Sequence, residues 1–301
     1  MKWNIIGAFI RNDPFGTEIA FRKGLERIGE TVNAWDPSRL DERNKFDPDA
    51  DFTLIFKWLD DGVLRESLVK KCGGKKILYQ VDDLRFPHIK QMMQGMLDTC
   101  DHALTFDEDG AKLALEYGYK TAKRILLTAD NQLYKPIPGT VKDIDVSFIG
   151  SLTGGDNHKS RVKMLELVRG IKGVRMAFGN EVFDIPKIND IYNRSKIVLN
   201  HATDVGQPFG HGYGYQCRHF EAGFAGSLVL SNAIDNDNTL KNILTFSDEK
   251  ELVDTVEMLI KGNGLPEWEL KNRGRLLYEE LMFSHTPEHR AGELLTYARS
   301  L

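Results

Sequence analysis

Short apolar runs recur along the first 120 positions, each followed by a polar turn and then by a stretch that is apolar at every third or fourth place. Residues 3–9 read as a strand, and 17–28, apolar at Ile19, Ala20, Leu25 and Ile28, read as the helix after it. Further strands are predicted over 31–36, 52–57, 76–81 and 102–106, with helices over 62–71, 92–97 and 107–117. Strand and helix in alternation imply an α/β fold with a parallel, doubly wound sheet. The second half repeats the rhythm: strands over 145–150, 174–179, 195–200 and 244–246, helices over 161–169, 188–192 and 248–260, and helical periodicity from 268 to 301. Between these halves Lys135-Pro-Ile-Pro-Gly-Thr140 can continue neither helix nor sheet, which places a linker there.

Two domains suit a chain of 301 residues. With 41% hydrophobic and 28% charged residues it has an ordinary globular composition. A formal charge of −4 provides no general attraction to nucleic acid or anionic lipid, although Lys70, Lys71, Lys75 and Lys76 form a local basic patch. No apolar run approaches the roughly 18 residues of a membrane span, and the run at the N-terminus is too short for a signal-peptide core. Cys72, Cys100 and Cys217 are odd in number and far apart, so neither a disulfide framework nor a zinc site is indicated, and a cytoplasmic location is expected. His201 and His211 lack a third partner at metal spacing.

Ligands on parallel sheets sit beyond the carboxyl ends of the strands. In the first half those ends carry Asp82, Asp83 and Asp107. Each can meet a reacting group or simply cap the next helix. His88 lies in the turn after Phe86-Pro87, and Gly16-Thr17 opens the first helix, with Thr17 as its expected cap. The loop before that helix has no Gly-x-Gly-x-x-Gly, so the dinucleotide fingerprint is missing. In the second half, Gly150-Ser151 leads through a glycine-containing loop to Lys159 and Arg161, a setting for phosphate or an ordinary surface turn. Asn200-His201 and the glycine- and aromatic-rich loop 207–214 follow the strand 195–200.

Cys217-Arg-His-Phe-Glu-Ala-Gly-Phe-Ala-Gly-Ser-Leu-Val-Leu-Ser231 is the most informative stretch. Arg218 and Glu221, three apart, share a helix face, as an incidental surface pair also would. Gly223 and Gly226 each cost a helix about 1 kcal/mol unless close packing requires them.

This stretch resembles the donor-site signature of nucleotide-sugar glycosyltransferases of the GT-B fold, particularly the spore-maturation-protein-type group. There an Arg-x-Phe-Glu-Ala segment precedes a small-residue turn and an apolar strand. Phe148-Ile-Gly-Ser151 with a downstream Arg, Tyr192 with Ser195-Lys-Ile-Val-Leu-Asn200, and His285-Thr-Pro-Glu-His-Arg290 are similar to other motifs of the group. The likeness covers most of 145–295; over 1–140 it is architectural.

The resemblance implies two Rossmann-like domains facing a cleft. The boundaries would be 1–137 for the acceptor, 138–280 for the donor, and 281–301 for a helix crossing back onto the first domain. It implies glycosyl transfer from a nucleoside diphosphate sugar such as a UDP-sugar, without an essential metal or other cofactor, and with retention as in the nearest families. Glu221 would hold the ribose and Arg218 lie near the phosphates. Gly150, Ser151, Lys159, Arg161, Asn200, His201 and Tyr215 would complete the donor site. Gly16, Thr17, His88 and Asp107 would face the acceptor, with Asp82 or Asp83 as base if the reaction inverts. The better-known retaining families carry a second Glu eight residues before Glu221, where this chain has Tyr213. A nucleotide-sugar epimerase or hydrolase of the same fold, and a non-catalytic nucleotide-sugar-binding protein, are the competing readings. The acceptor stays open among a protein, a glycan, a small molecule and a modified nucleic-acid base.

Overall fold

A computed structural model describes residues 1–7, 16–36, 46–56, 69–152, 159–179, 184–202, 204–235, 237–261 and 265–301. The expected helix over 62–71 falls mostly outside the described residues, as do 8–15 and the middle of the loop 151–160. The chain divides into two compact units, Met1–Thr128 with Thr286–Leu301, and Ala129–His285.

The first unit holds β1 (Lys2–Ile6), α1 (Thr17–Arg27), β2 (Thr31–Trp35), β3 (Phe52–Phe56), β4 (Lys75–Gln80), α2 (Pro87–Gly95), β5 (His102–Thr105), α3 (Glu108–Glu116) and β6 (Thr121–Arg124). Its sheet runs β2-β1-β3-β4-β5-β6, parallel throughout. Every residue of β3, Phe-Thr-Leu-Ile-Phe, is buried, as befits an interior strand covered on both faces. β6 was not anticipated: Thr-Ala-Lys-Arg is only half-buried and shows no apolar alternation, because it forms an edge. α2 starts five residues before the predicted helix, at Pro87, whose missing N–H is harmless in a first turn.

The last helix, α9 (Pro287–Ser300), belongs to this unit. It lies so near α1 that a Cβ on Gly24 would stand 2.2 Å from the Pro287 carbonyl oxygen. Arg27 reaches Glu288 at 3.3 Å, and Tyr297 shares a 2.6 Å hydrogen bond with Thr121. The helical periodicity expected over 268–301, with a last helix set apart from 281, is two helices that part at 285–286. Thr286 and His289 form a capping box, and Pro287 in the first turn cannot continue a preceding helix.

The second unit contains β7 (Ile144–Ile149), α4 (Lys159–Arg169), β8 (Met176–Gly179), α5 (Ile185–Arg194), β9 (Ser195–Asn200), β10 (His211–Gly212), α6 (Cys217–Phe224), β11 (Leu228–Ile234), β12 (Leu244–Phe246), α7 (Glu249–Ile260) and α8 (Glu267–Ser284). The sheet order is β10-β11-β9-β7-β8, with β12 also on β11, again all parallel. Phe148, Leu199, Leu230 and Phe246 from the strands pack with Met164, Leu165, Leu252 and Val256 from α4 and α7.

The units part at Thr128/Ala129, whereas the sequence placed the boundary at 137/138. Residues of the proline-rich turn are held inside the second unit: the amides of Lys135 and Ile137 donate to the Oδ1 atoms of Asn189 and Asn193, at 3.1 and 2.7 Å. α5 is longer than the predicted 188–192, because Asp184 caps it and Pro186 sits in its first turn.

Both glycines of the signature stretch have packing reasons. A Cβ on Gly223 would come within 2.4 Å of Leu281 Cδ1 on α8. Gly226 closes α6 with φ +73°; the Gly226 amide donates to Gly223 O at 2.9 Å and the Ser227 amide to Ala222 O at 3.0 Å, a Schellman ending.

Candidate functional site

β7, β9 and β11 lie side by side, so their carboxyl ends bring residues 149–151, 200–202 and 231–234 to one edge of the second unit. α6 starts beside that edge, and its Arg218 runs across it. The guanidinium stands 5.0 Å from the centre of the Phe148 ring and donates from Nη1 to Asn200 Oδ1 at 2.8 Å. A Cβ on Gly150 would meet Arg218 Nη2 at 2.8 Å; residue 150 is bare where the guanidinium lies. Arg161, on the first turn of α4, comes to the same ring at 5.7 Å and donates from Nη1 to Ser151 O at 2.7 Å. Its Nε is buried without a hydrogen-bond partner.

Two guanidiniums thus gather on one aromatic ring. Neither has a carboxylate within ion-pair distance among the described residues. Burial, followed by repulsion from Arg218, lowers Arg161 to about 9, with Asp204 pulling weakly the other way. An arrangement of that kind is costly when empty and favours a multiply charged anion.

One turn along α6, Glu221 is 8% exposed and accepts from the Tyr192 hydroxyl at 3.1 Å. Tyr192 is fully buried; burial and the Glu221 charge raise its phenol well above the ordinary value. Tyr215 is buried, donates to Asp237 O at 2.9 Å and meets His219 edge-on, 5.3 Å between ring centres. His201 is 3% exposed, with Nε2 3.8 Å from Asp204 Oδ2. Lys159 is exposed at the start of α4. Tyr213, at the place of the other families' first Glu, accepts a hydrogen bond from Gln207.

Gly150, Ser151, Arg161, Asn200, Arg218, Glu221 and Tyr215 therefore belong to one connected neighbourhood. Phe148, Tyr192 and His219 were missed as members of it. All three stood inside quoted motifs, but an apolar strand residue and a buried hydroxyl carry no signal of their own.

In the first unit the expected residues sort differently. Asp83 is 1% exposed, and its Oδ1 accepts from the Arg85 amide at 2.8 Å and from Nη1 at 2.9 Å. Arg85 Nη2 also donates to Asp107 Oδ1 at 2.9 Å. Burial raises the Asp83 carboxyl despite the pull of Arg85. Asp107 caps α3, accepting from the Gly110 amide at 2.8 Å. Asp82 is half-buried, its amide donating to Gln80 Oε1 at 3.0 Å. His88 is exposed in the first turn of α2, not in a free turn. The cap of α1 is Gly16; Thr17 is already helical, and its hydroxyl donates to Thr128 O at 3.4 Å, so the expected Thr17 cap is not formed. Arg85, the centre of the Asp83–Asp107 cluster, was overlooked, though its spacing two after Asp83 was readable.

Among the described residues no group of three or more His, Cys, Asp or Glu is placed to hold a metal, and no helix is long and apolar enough to cross a membrane. All three cysteines are free thiols.

Two parallel-sheet α/β units, the second with cations gathered beyond its strand ends, define the class of GT-B proteins. Residues 133–296, over half of the chain, match the glycosyl transferase-like family. The chain belongs to that family and is a glycosyltransferase. Its fold is similar to that of a solved alpha-glucosyltransferase in complex with UDP and a 13-mer DNA containing an HMU base, with 100% of both chains covered, a TM-score of 0.69 and 10% identity. AviGT4, a glycosyltransferase involved in avilamycin A biosynthesis, is matched over 99% of this chain and 97% of its own, with TM-score 0.58 and 13% identity. TarM is matched over 94% and 58%, with TM-score 0.58 and 11% identity. At such identities these likenesses establish the fold. A comparison with curated proteins finds no match.

Proposed function

We propose that this glycosyltransferase takes its sugar from a UDP-sugar held by the second unit and passes it to an acceptor hydroxyl taken up by the first, without a metal. The observation that carries the reading is the pair Arg161 and Arg218 on Phe148, two cations with no carboxylate partner among the described residues. In the reaction the bond from sugar C1 to the β-phosphate oxygen breaks and its electron pair stays on UDP. The acceptor oxygen then bonds C1, and its proton passes to the β-phosphate oxygen that has left. Charge grows on the departing diphosphate, and fixed guanidiniums stabilise it there as a divalent metal would elsewhere.

Lys159 adds a third cation from the start of α4. Glu221 holds the ribose: a carboxylate has lone pairs enough to keep Tyr192 and accept from ribose hydroxyls. Uridine is supported by the alpha-glucosyltransferase structures, which contain UDP. Asp83, buried and bonded to Arg85, is badly situated to take a proton, so Asp82 is the candidate base if the reaction inverts, and retention is proposed on the family resemblance. Gly16, Thr17, His88 and Asp82 are assigned to the acceptor side, and Asp107 to holding Arg85. The acceptor is a hydroxyl on a protein, glycan, small molecule or modified base; the net charge of −4 argues against long DNA unless a local groove binds it.

Thermal melting against UDP-, GDP-, ADP- and dTDP-sugars tests the donor, since a ligand raises stability by RT ln(1 + [L]/Kd). UDP-sugars are expected to raise Tm in wild type and not in Arg218→Met. UDP release across an acceptor panel should persist in EDTA. No shift with any nucleotide, or loss of activity in EDTA restored only by a divalent cation, would refute the corresponding part.

A further inference from the structure

We propose that a cleft at the amino ends of β7, β9 and β11 binds a small oxyanion, a phosphate or a carboxylate, on the side-chain amine of Lys142. The site is separate from the donor site and stands whether or not that reading does.

Lys142, Asn193 and Gly226 each come two residues before a strand, β7, β9 and β11 in turn. Those strands are parallel neighbours, so the three residues gather on one edge of the sheet, the edge away from Arg218 and Asn200. Together with Ile137, and with Glu267 and Lys271 on the first turns of α8, they line a cleft of about 570 Å³. Sites for small organic ligands run from roughly 300 to 1,000 Å³. The walls are braced without a ligand. Asn193 Oδ1 accepts from the Ile137 amide at 2.7 Å, and α8 lies so close that a Cβ on Gly274 would stand 2.3 Å from Gly226 O.

Lys142 is half-buried, and among the described residues its amine forms neither an ion pair nor a hydrogen bond. The carboxylates around it are already engaged. Asp143 holds Arg194, Asp145 holds Lys196 and Glu267 holds Lys271, each at 2.7 Å. Burial, then the Lys271 charge, lower the Lys142 amine to about 8 against the pull of Glu267. An ammonium given a carboxylate of its own would be raised, so the direction agrees with a cation left without a counter-ion. Two ammoniums against one carboxylate leave the cleft a net positive charge, which an anion neutralises and a metal cation would increase. Ile137 and Val141, 40% and 72% exposed, provide an apolar rim for the body of an organic acid.

Thermal melting at about pH 7 (near neutral), with inorganic phosphate or butyrate against sodium chloride of equal ionic strength, tests the site. At about ten times its dissociation constant the bound anion should raise Tm by roughly 3–6 °C. The shift is expected to persist in Arg218→Met, whose donor site has lost a cation, and to vanish in Lys142→Met. Phosphate acting alone would identify a phosphate ligand, and butyrate acting as well would extend the site to carboxylates. No shift with either anion, a shift undiminished in Lys142→Met, or one lost only in Arg218→Met would overturn the proposal. Should Lys142→Met not fold, the wild-type protein decides: the bound anion should slow acetylation of Lys142 by trace acetic anhydride about fivefold, read by peptide mass spectrometry. An unchanged rate of acetylation there would equally overturn it.

Discussion

Replacing Arg161 by methionine should make the empty protein more stable and unable to hold a diphosphate. Burial, then the Arg218 charge, hold the Arg161 guanidinium down to about 9, whereas a free one titrates at about 12.5 or above. At about 1.4 kcal/mol per pKa unit, that gap sets a ceiling of roughly 5 kcal/mol on what the charged form costs the folded chain near neutrality. Two favourable contacts go with the guanidinium. The 2.7 Å hydrogen bond to Ser151 O contributes about 1.5–3 kcal/mol, as bonds from charged groups do. Its place over the Phe148 ring, 5.7 Å from the centre, contributes about 0.5–1 kcal/mol. Methionine keeps the apolar stem. The net gain is at most about 1–3 kcal/mol, or roughly 2–12 °C in Tm for a unit of this size.

The sign follows from which form is disfavoured. Below about 9 the group is charged in both states and the folded state bears the whole penalty. As pH climbs past that value the folded chain releases its proton first, and the penalty fades. The Tm difference between Arg161→Met and wild type should therefore be the same at about pH 6 and about pH 8. Calorimetry with and without about 1 mM UDP reads both halves of the prediction. A variant that melts below wild type, or keeps the wild-type shift with UDP, would refute the reasoning.

Glu221→Ala should lower kcat/KM by about two orders of magnitude or more with the fold intact, and cost about 1–3 kcal/mol because the buried Tyr192 hydroxyl loses its acceptor; full activity would remove Glu221 from the site. Asp145 is pushed up by burial, but hydrogen bonds from Arg175 and Lys196 overcome this and hold it at about 2. Its contribution should be complete above about pH 4 and lost as pH falls toward 2; an acid melting profile for Asp145→Asn identical in slope to wild type would contradict this. Gly274→Ala should destabilise by about 1–3 kcal/mol, since the new Cβ would stand 2.3 Å from Gly226 O, a backbone atom with little room to move; an unchanged denaturation midpoint would show that α8 can shift.

Hydropathy alone marked out the alternating elements, the parallel sheets and the face shared by Arg218 and Glu221, because each depends on residues a few places apart. Residues 195–200 and 244–246 were placed to the residue. The edge strand β6 and the unit boundary at 128/129 were settled by neighbours far along the chain. The same holds within the candidate site. Glu221 meets Tyr192 from 29 residues away, Arg218 meets Asn200 from 18, and Arg85 joins Asp83 to an aspartate 22 residues beyond it. A sequence shows which residues carry charge or hydrogen-bonding groups. Which of them share a buried space depends on strand order and register, and those are chosen by the packing of whole sheets, not by any local run of side chains.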